Sequence, residues 1–564
     1  MRLPRGAETA AALAIGLACF AVLLGPGVLD PANVAWMQRN DPATYYLGWS
    51  FFRAAPWGWP PAANPLFGLE IASTIFFIDV VPLMALAMKA TIAPAGGPWQ
   101  YHGAWLLLCF ALQAVFAHRI AALFLPDAAS RLLVAALACF APVLLWRLAG
   151  PHAVTGHYAL AAQWLLLAAG WLCLRAPTRR QPLAWVALGA VAALIHSYLL
   201  SMVLVLWAAD ALRRWLAARR GGALAAEAVA LALGIAAALW LAGFRTLPGG
   251  GLGEPGYGIF RANLLTLLDP QGWSVLVPNQ ARGPGDYEGF GFLGAGGIVA
   301  LLAALWVVRR DAMPPLPAGH LPFLAAILVL AVFALSNVIG LGHVNLVRIP
   351  LPPQVEPLLA MFRASGRMIW PLHYLVLLGA AIVLARRVGP RRGALALAAI
   401  LGLQVADSAR GWLPVAMGAR VAGPAWSTPL ANPFWAEAAG HYQRLRRIPA
   451  GNATPGWAPL AYLAAAHGIG TDAVYLARVA QEPLAALRAR GAAMVATGHF
   501  DPAEFYVLDD ASACAVAPRI DAARDLLARI DGVNVVAPGW HAVRRTPAGA
   551  GPIDCAVSAP PGSR

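Results

Sequence analysis

RRQPLAWVALGAVAALIHSYLLSMVLVLWAADALRR, residues 179–214, decides the class of fold. The run 182–212 is almost wholly apolar. Arg179 and Arg180 precede it, and Arg213, Arg214, Arg219 and Arg220 follow it. About twenty apolar residues cross a bilayer as one helix, and arginine clusters stay on the cytoplasmic side. With arginines at both ends, this run is expected to cross twice. It would then be a hairpin of two short helices with His196-Ser197-Tyr198 at its tip. A polar tip at that depth is tolerable where it lines a cavity inside the protein.

The same reading extends outward. Further apolar runs lie at roughly 9–29, 103–124, 131–149, 157–174, 223–243, 292–308, 320–341, 368–386 and 392–410. The composition agrees, with 60% hydrophobic and 12% charged residues. A soluble domain is about 45–50% apolar and about 25% charged, so an ordinary soluble enzyme is excluded. The net charge of +15 comes from arginines set between apolar runs, and Lys89 is the single lysine. That placement fixes membrane orientation and argues against nucleic acid as a partner.

Arg2 and Arg5 put the N-terminus inside, and the first run reads as an uncleaved helix, too long for the apolar core of a signal peptide. Arg119, Arg131, Arg309, Arg310, Arg386, Arg387, Arg391 and Arg392 also fall inside. Segment 71–93, with Asp79, Pro82 and Lys89, should then lie on the outer surface as an interfacial or re-entrant helix. The expected fold is an α-helical polytopic membrane protein of about eleven crossings over residues 1–410. A small α/β extracytoplasmic domain over 411–564 follows. Within that domain 434–447, 481–490 and 520–530 read as helical, and 492–497, 505–510 and 533–538 as strands. Cys514 and Cys555 could pair in an oxidising compartment, whereas Cys19, Cys109, Cys139 and Cys173 lie in apolar runs and read as small hydrophobes.

The long first outer loop, 30–102, is the richest in chemistry. WMQRNDPATYYLGWSFFRAAPWGWPPAANP (36–65) carries Tyr45, Tyr46, Trp49 and Arg53, a set suited to a membrane interface or to a sugar- or lipid-facing shelf. Asp41-Pro42 reads as a helix start with Asp41 as N-cap. A fixed carboxylate of that kind could also serve as a base. His152 and His157 lie at another outer edge; their spacing of five does not fit a helical metal pair. No cofactor is assigned, and a divalent metal stays open. Arg363 and Arg367, four apart, and Arg348 in the same outer loop run against the positive-inside bias. Asp79, at membrane depth, needs a partner or water.

NDPATYYLGWSFFR, HSYLL (196–200) and FRASGRMIW (362–370), in this order along such a topology, resemble the GT-C superfamily. The likeness is greatest to an uncharacterised bacterial branch with a C-terminal periplasmic domain. These are membrane glycosyltransferases that take sugars from polyprenyl-phosphate donors at the outer face. The resemblance implies that Asp41 activates the acceptor hydroxyl. It further implies donor-phosphate contacts from Arg363, Arg367, Arg348, His152, His157 and His196. Substrate contacts would come from Tyr45, Tyr46, Trp49, Arg53, Asp79 and Tyr198. The implied partners are the bilayer, the lipid-linked sugar and a glycan, lipid or protein acceptor. The implied location is the bacterial cytoplasmic membrane. A transporter or flippase of a lipid-linked glycan, or a non-catalytic scaffold of envelope assembly, is the alternative. Aromatic shelves and buried arginines would serve a transporter as well, but a transporter should show internal repeats and charges in the middle of several helices, neither of which is evident. A scaffold has no need of the Asp41 and Arg363/Arg367 constellation.

Overall fold

The computed structural model describes residues 4–38, 40–71, 74–91, 96–149, 156–219, 221–244, 256–310, 318–424 and 426–555. The chain forms two compact units. The first comprises Met1–Pro42, Tyr101–Leu239 and Leu252–Gly423; the second comprises Ala43–Gln100, Trp240–Gly251 and Pro424–Arg564.

The first unit is helical. Among the described residues, five helical segments are long and apolar enough to cross a membrane: Gly6–Leu23, His102–Ala121, Ala128–Leu148, Gly221–Leu241 and Ser365–Val388. A sixth arises if Pro390–Asp407 and Ala409–Ala419, bent by 67°, make one span. The apolar helices Tyr158–Leu174, Gln181–Ala193 and Leu321–Ala334 are shorter. The break inside 182–212 is where the sequence places it. Helix Gln181–Ala193 ends, and His196 caps helix Ser197–Ala218 by accepting a hydrogen bond at Nδ1 from Tyr198 N–H at 3.1 Å.

Other boundaries differ from expectation. The run 131–149 breaks at Phe140-Ala141, because Pro142 can start a helix but cannot continue one. The run 320–341 stops being helical at Ala334, and Ser336 turns in the left-handed region. The chain then forms an antiparallel hairpin, β1 (Val338–Leu341) and β2 (Val344–Arg348). Valine and isoleucine, crowded at Cβ, favour that extended form.

The ends of these helices carry ion clusters. Glu8 Oε2 accepts from Arg131 at 2.8 Å and meets His118 at 3.2 Å. Arg214 joins Asp210 to Glu227, at 2.9 and 2.7 Å, and the indole N–H groups of Trp185 and Trp207 complete the two carboxylates. All three carboxylates are buried, so each needs these partners to offset lost hydration.

The second unit is α/β. Its five-stranded sheet has the order β4-β3-β5-β7-β6, with β3 Arg444–Ile448, β4 Gly470–Thr471, β5 Glu504–Leu508, β6 Leu526–Ile530 and β7 Val533–Ala537. β3 is parallel to β4 and β5, and the last two strands are antiparallel. Three sequence expectations are corrected here. AAMVAT (492–497) is not a strand but the end of helix Gln481–Thr497, stopped by Gly498 at φ +74°. Residues 520–530 end in β6, not a helix, because Asp531-Gly532, both at positive φ, make the tight turn of a hairpin with β7. Likewise 434–447 is helical only over Phe434–His441 before β3 begins.

Part of the segment 43–100 pairs with the edge of this sheet. Leu66 C=O accepts from Thr471 N–H and Gly68 N–H donates to Thr471 C=O, both at 2.9 Å, so residues 66–68 line the β4 edge. Buried Arg446 then bridges Glu70 and Glu504, donating at 2.7 Å to the former and 2.9 Å to the latter. Cys514 and Cys555 are joined as a disulfide, with Cα atoms 5.5 Å apart. The other four cysteines are free and buried.

Candidate functional site

The site is built from four pieces of the first unit. The first is the start of helix Asn40–Ala54. Asn40 takes a left-handed conformation at φ +52°, and Asp41 lies inside the first turn. The N-cap expectation for Asp41 is thereby corrected: the turn begins one residue earlier. Its carboxylate is left to face another element. Asp41 Oδ2 lies 3.3 Å from His157 Nε2, with both side chains part-buried.

The second piece carries His157 and Tyr158. The backbone N–H of His157 donates to Arg147 C=O at 2.7 Å, which ties the chain at His157 to helix Pro142–Ala149. Tyr158 stacks near Trp36, with ring centroids 5.5 Å apart, and its carbonyl accepts from the Trp105 indole at 2.8 Å. The third piece is the short turn Asp286–Gly289, which presents Glu288. The fourth is the turn Ser365–Ile369 with Arg367, beside the hairpin tip at His196 and Tyr198.

Glu288 organises the centre. Arg367 grips it with two hydrogen bonds of 3.0 Å, and Arg147 adds a third of 3.0 Å while also donating to its backbone carbonyl at 3.1 Å. Burial by itself would raise the Glu288 carboxyl. The charges of Arg367 and Arg147 outweigh it and hold the group well below the usual carboxylate range. His157 adds to the same field. Two arginines against one glutamate leave one net positive charge in a largely water-excluded place, where it acts strongly. Arg367 also lies over the Tyr198 ring, 4.9 Å from its centroid, and Tyr198 Oη accepts from Ala364 N–H at 2.9 Å. His196 is within electrostatic reach of Arg367, His157, Arg147 and Glu288.

The structure therefore brings together Asp41, His157, His196, Tyr198 and Arg367. Arg363 is half-buried, 5.8 Å from the Phe260 ring centroid, in the turn that leads to Arg367. Arg348 is exposed at the end of β2. His152 lies outside the described residues. Arg147 and Glu288 were not among the sequence candidates. An ionisable residue inside an apolar run, as Arg147 is, signals a buried partner, but nothing in the chain tells which of several loop acids that partner is.

The remaining candidates belong to the second unit. Tyr45, Tyr46 and Trp49 are buried there, in its packed interior and not on a surface shelf. Tyr46 packs near Trp426 and Trp49 near Trp99, with centroids 5.3 and 5.7 Å apart. Arg53 donates to Gly97 C=O at 2.7 Å. Asp79 precedes the short helix Pro82–Thr91 and does not sit in it; its φ of +55° closes the turn Ile75–Ile78. Among the described residues, no three His, Cys, Asp or Glu side chains converge as a metal-ligand set.

These features define a helical protein with membrane-type spans, a buried ion cluster and an attached α/β unit. The family described as a domain of unknown function, DUF6311, matches residues 13–409, and the C-terminal domain of that family matches residues 434–538. The chain belongs to this family. No curated protein matches it.

Proposed function

We propose that the protein is a GT-C-type glycosyltransferase. It would move a sugar from a polyprenyl-phosphate donor to an envelope glycan, lipid or protein acceptor at the outer face of the bacterial cytoplasmic membrane. The observation that carries this reading is the Asp41–His157 pair in the same unit as the Arg147–Glu288–Arg367 cluster. In the reaction the acceptor oxygen bonds to the anomeric carbon as the sugar–phosphate bond breaks. The acceptor proton passes to Asp41, held in direction by His157. Charge develops on the departing lipid phosphate, and the surplus positive charge around Arg147, Arg367 and Arg363 offsets it. Eleven crossings, with the N-terminus inside, would need the shorter apolar helices to span as well. The Cys514–Cys555 disulfide favours an oxidising, extracytoplasmic place for the α/β unit.

The test is consumption of polyprenyl-phosphate sugars by the purified full-length protein in lipid, followed by mass spectrometry of the released lipid phosphate. Asp41→Asn should slow release by about 10²-fold or more with folding unchanged. An Asp41→Asn protein with parental turnover would remove the base assignment. Absence of release by the parent protein from any donor, with vectorial movement of lipid-linked glycan instead, would favour a flippase.

A further inference from the structure

The first outer loop buries its proximal aromatics but turns its distal ones outward. In Trp57-Gly58-Trp59-Pro60-Pro61, Trp59 is 79% exposed and Trp57 53%. Trp59 stands edge-on to Trp240, with ring centroids 4.9 Å apart, and Trp240 is itself 46% exposed. Single exposed apolar residues need no explanation, whereas a contiguous exposed patch marks an interaction surface.

The position of Trp240 says what that surface meets. It is one residue from the end of helix Gly221–Leu241, which is long and apolar enough to cross a membrane. That helix turns most of its surface outward, Val229 and Leu233 included. A lipid-facing span ends at the headgroup layer, and tryptophan concentrates there because its ring is apolar and its N–H is polar. Trp59, in contact with Trp240, shares that depth.

Lys89 supplies a cation beside the same patch. Its ammonium lies 4.0 Å from the Phe52 ring centroid and 4.7 Å from that of Trp57. Among the described residues no carboxylate comes within ion-pair distance of it. Burial lowers it to about 8. A lipid phosphate oxygen at the rim would supply the missing anion.

We propose that Trp57, Trp59 and Trp240, with Lys89 behind them, form an anchor that seats this end of the second unit in the phospholipid headgroup layer. The inference rests on helix Gly221–Leu241 spanning a membrane and is independent of the glycosyl-transfer reading.

The test places a fluorescent label at Gly58→Cys, between the two indoles, and at Leu233→Cys in the middle of the span. The full-length protein is reconstituted in phosphatidylcholine–phosphatidylglycerol vesicles carrying bromines at shallow or deep acyl positions. The parent protein, whose four free cysteines are buried, gives the background. At position 58, shallow bromines should quench at least about twofold more strongly than deep ones, with aqueous iodide ineffective. The order should reverse at 233. Replacing Trp57 and Trp59 by Ala should abolish the quenching at 58. Iodide quenching at 58 with deep bromine quenching at 233 would overturn the anchor and leave the span standing. Iodide quenching at both positions would overturn the span, and the anchor with it.

Discussion

Glu288 is the residue on which the site turns. It is the shared counter-ion of two buried guanidiniums, so Glu288→Gln leaves both with a neutral amide. Removing one partner of a buried ion pair costs about 3–5 kcal/mol. The variant should lower the thermal midpoint of the full chain in lipid, and a midpoint within error of the parent would show the cluster to be hydrated. Asp472, in the second unit, is the clearest pH-sensitive group. Burial raises its carboxyl from 3.8 to about 7, against the pull of Arg446 and of the Arg447 N–H. A raised carboxyl favours the folded form while it is protonated. Its contribution is full below pH 3.8 and is lost as pH rises through about 7. Asp472→Asn should therefore gain in midpoint relative to the parent between about pH 4 and 7, and a difference independent of pH would contradict this. Asp41, His157, His196 and Arg367 stand out as candidates in the sequence because each is a polar residue within or beside an apolar run. The pairing of Arg147 with Glu288 spans 141 positions, and no local pattern encodes a contact at that range.

At the scale of elements, local chemistry was legible where it dominates. The arginine-flanked run 179–214 breaks at His196, the turn that the arginines at its two ends lead one to expect. Residues 520–530 were misread because a single Asp-Gly turn outweighs the helical look of Leu526-Leu527-Ala528-Arg529. Helix packing was not legible at all. Gly103, near the start of helix His102–Ala121, lies against the Val28 backbone so closely that an added Cβ would collide with the Val28 carbonyl. Gly103→Ala should cost about 1–3 kcal/mol, read as a lower midpoint. An unchanged midpoint would mean that the turn Pro26–Leu29 yields readily. Gly532, at φ +78°, has open space around its Cα. Replacement by Ala there should cost only the left-handed backbone penalty, about 1–2 kcal/mol, read as a lower midpoint.

At the scale of the whole molecule, composition and arginine placement sufficed for a membrane-type chain with an α/β C-terminal part. They did not reveal that residues 43–100 fold with that C-terminal part, because the link is a backbone strip at 66–68 and an ion pair across 376 positions. Glu70 makes the pair, and hydrogen bonds and charge from Arg446 overcome its burial to hold it at about 2. Its stabilising effect is present above pH 4.5 and fades as pH falls through about 2. Glu70→Gln should speed proteolytic cleavage near residues 66–71 at neutral pH, and cleavage at the parental rate would show the strip alone to be sufficient. Whether the ion cluster of the first unit receives a lipid phosphate next to Asp41 can be tested directly. The test is an experimental structure of the full-length protein with polyprenyl phosphate. The phosphate oxygens should lie within about 3 Å of guanidinium nitrogens of Arg363, Arg367 or Arg147, with Asp41 and His157 facing the vacated sugar position. A phosphate bound away from all three arginines would contradict this placement.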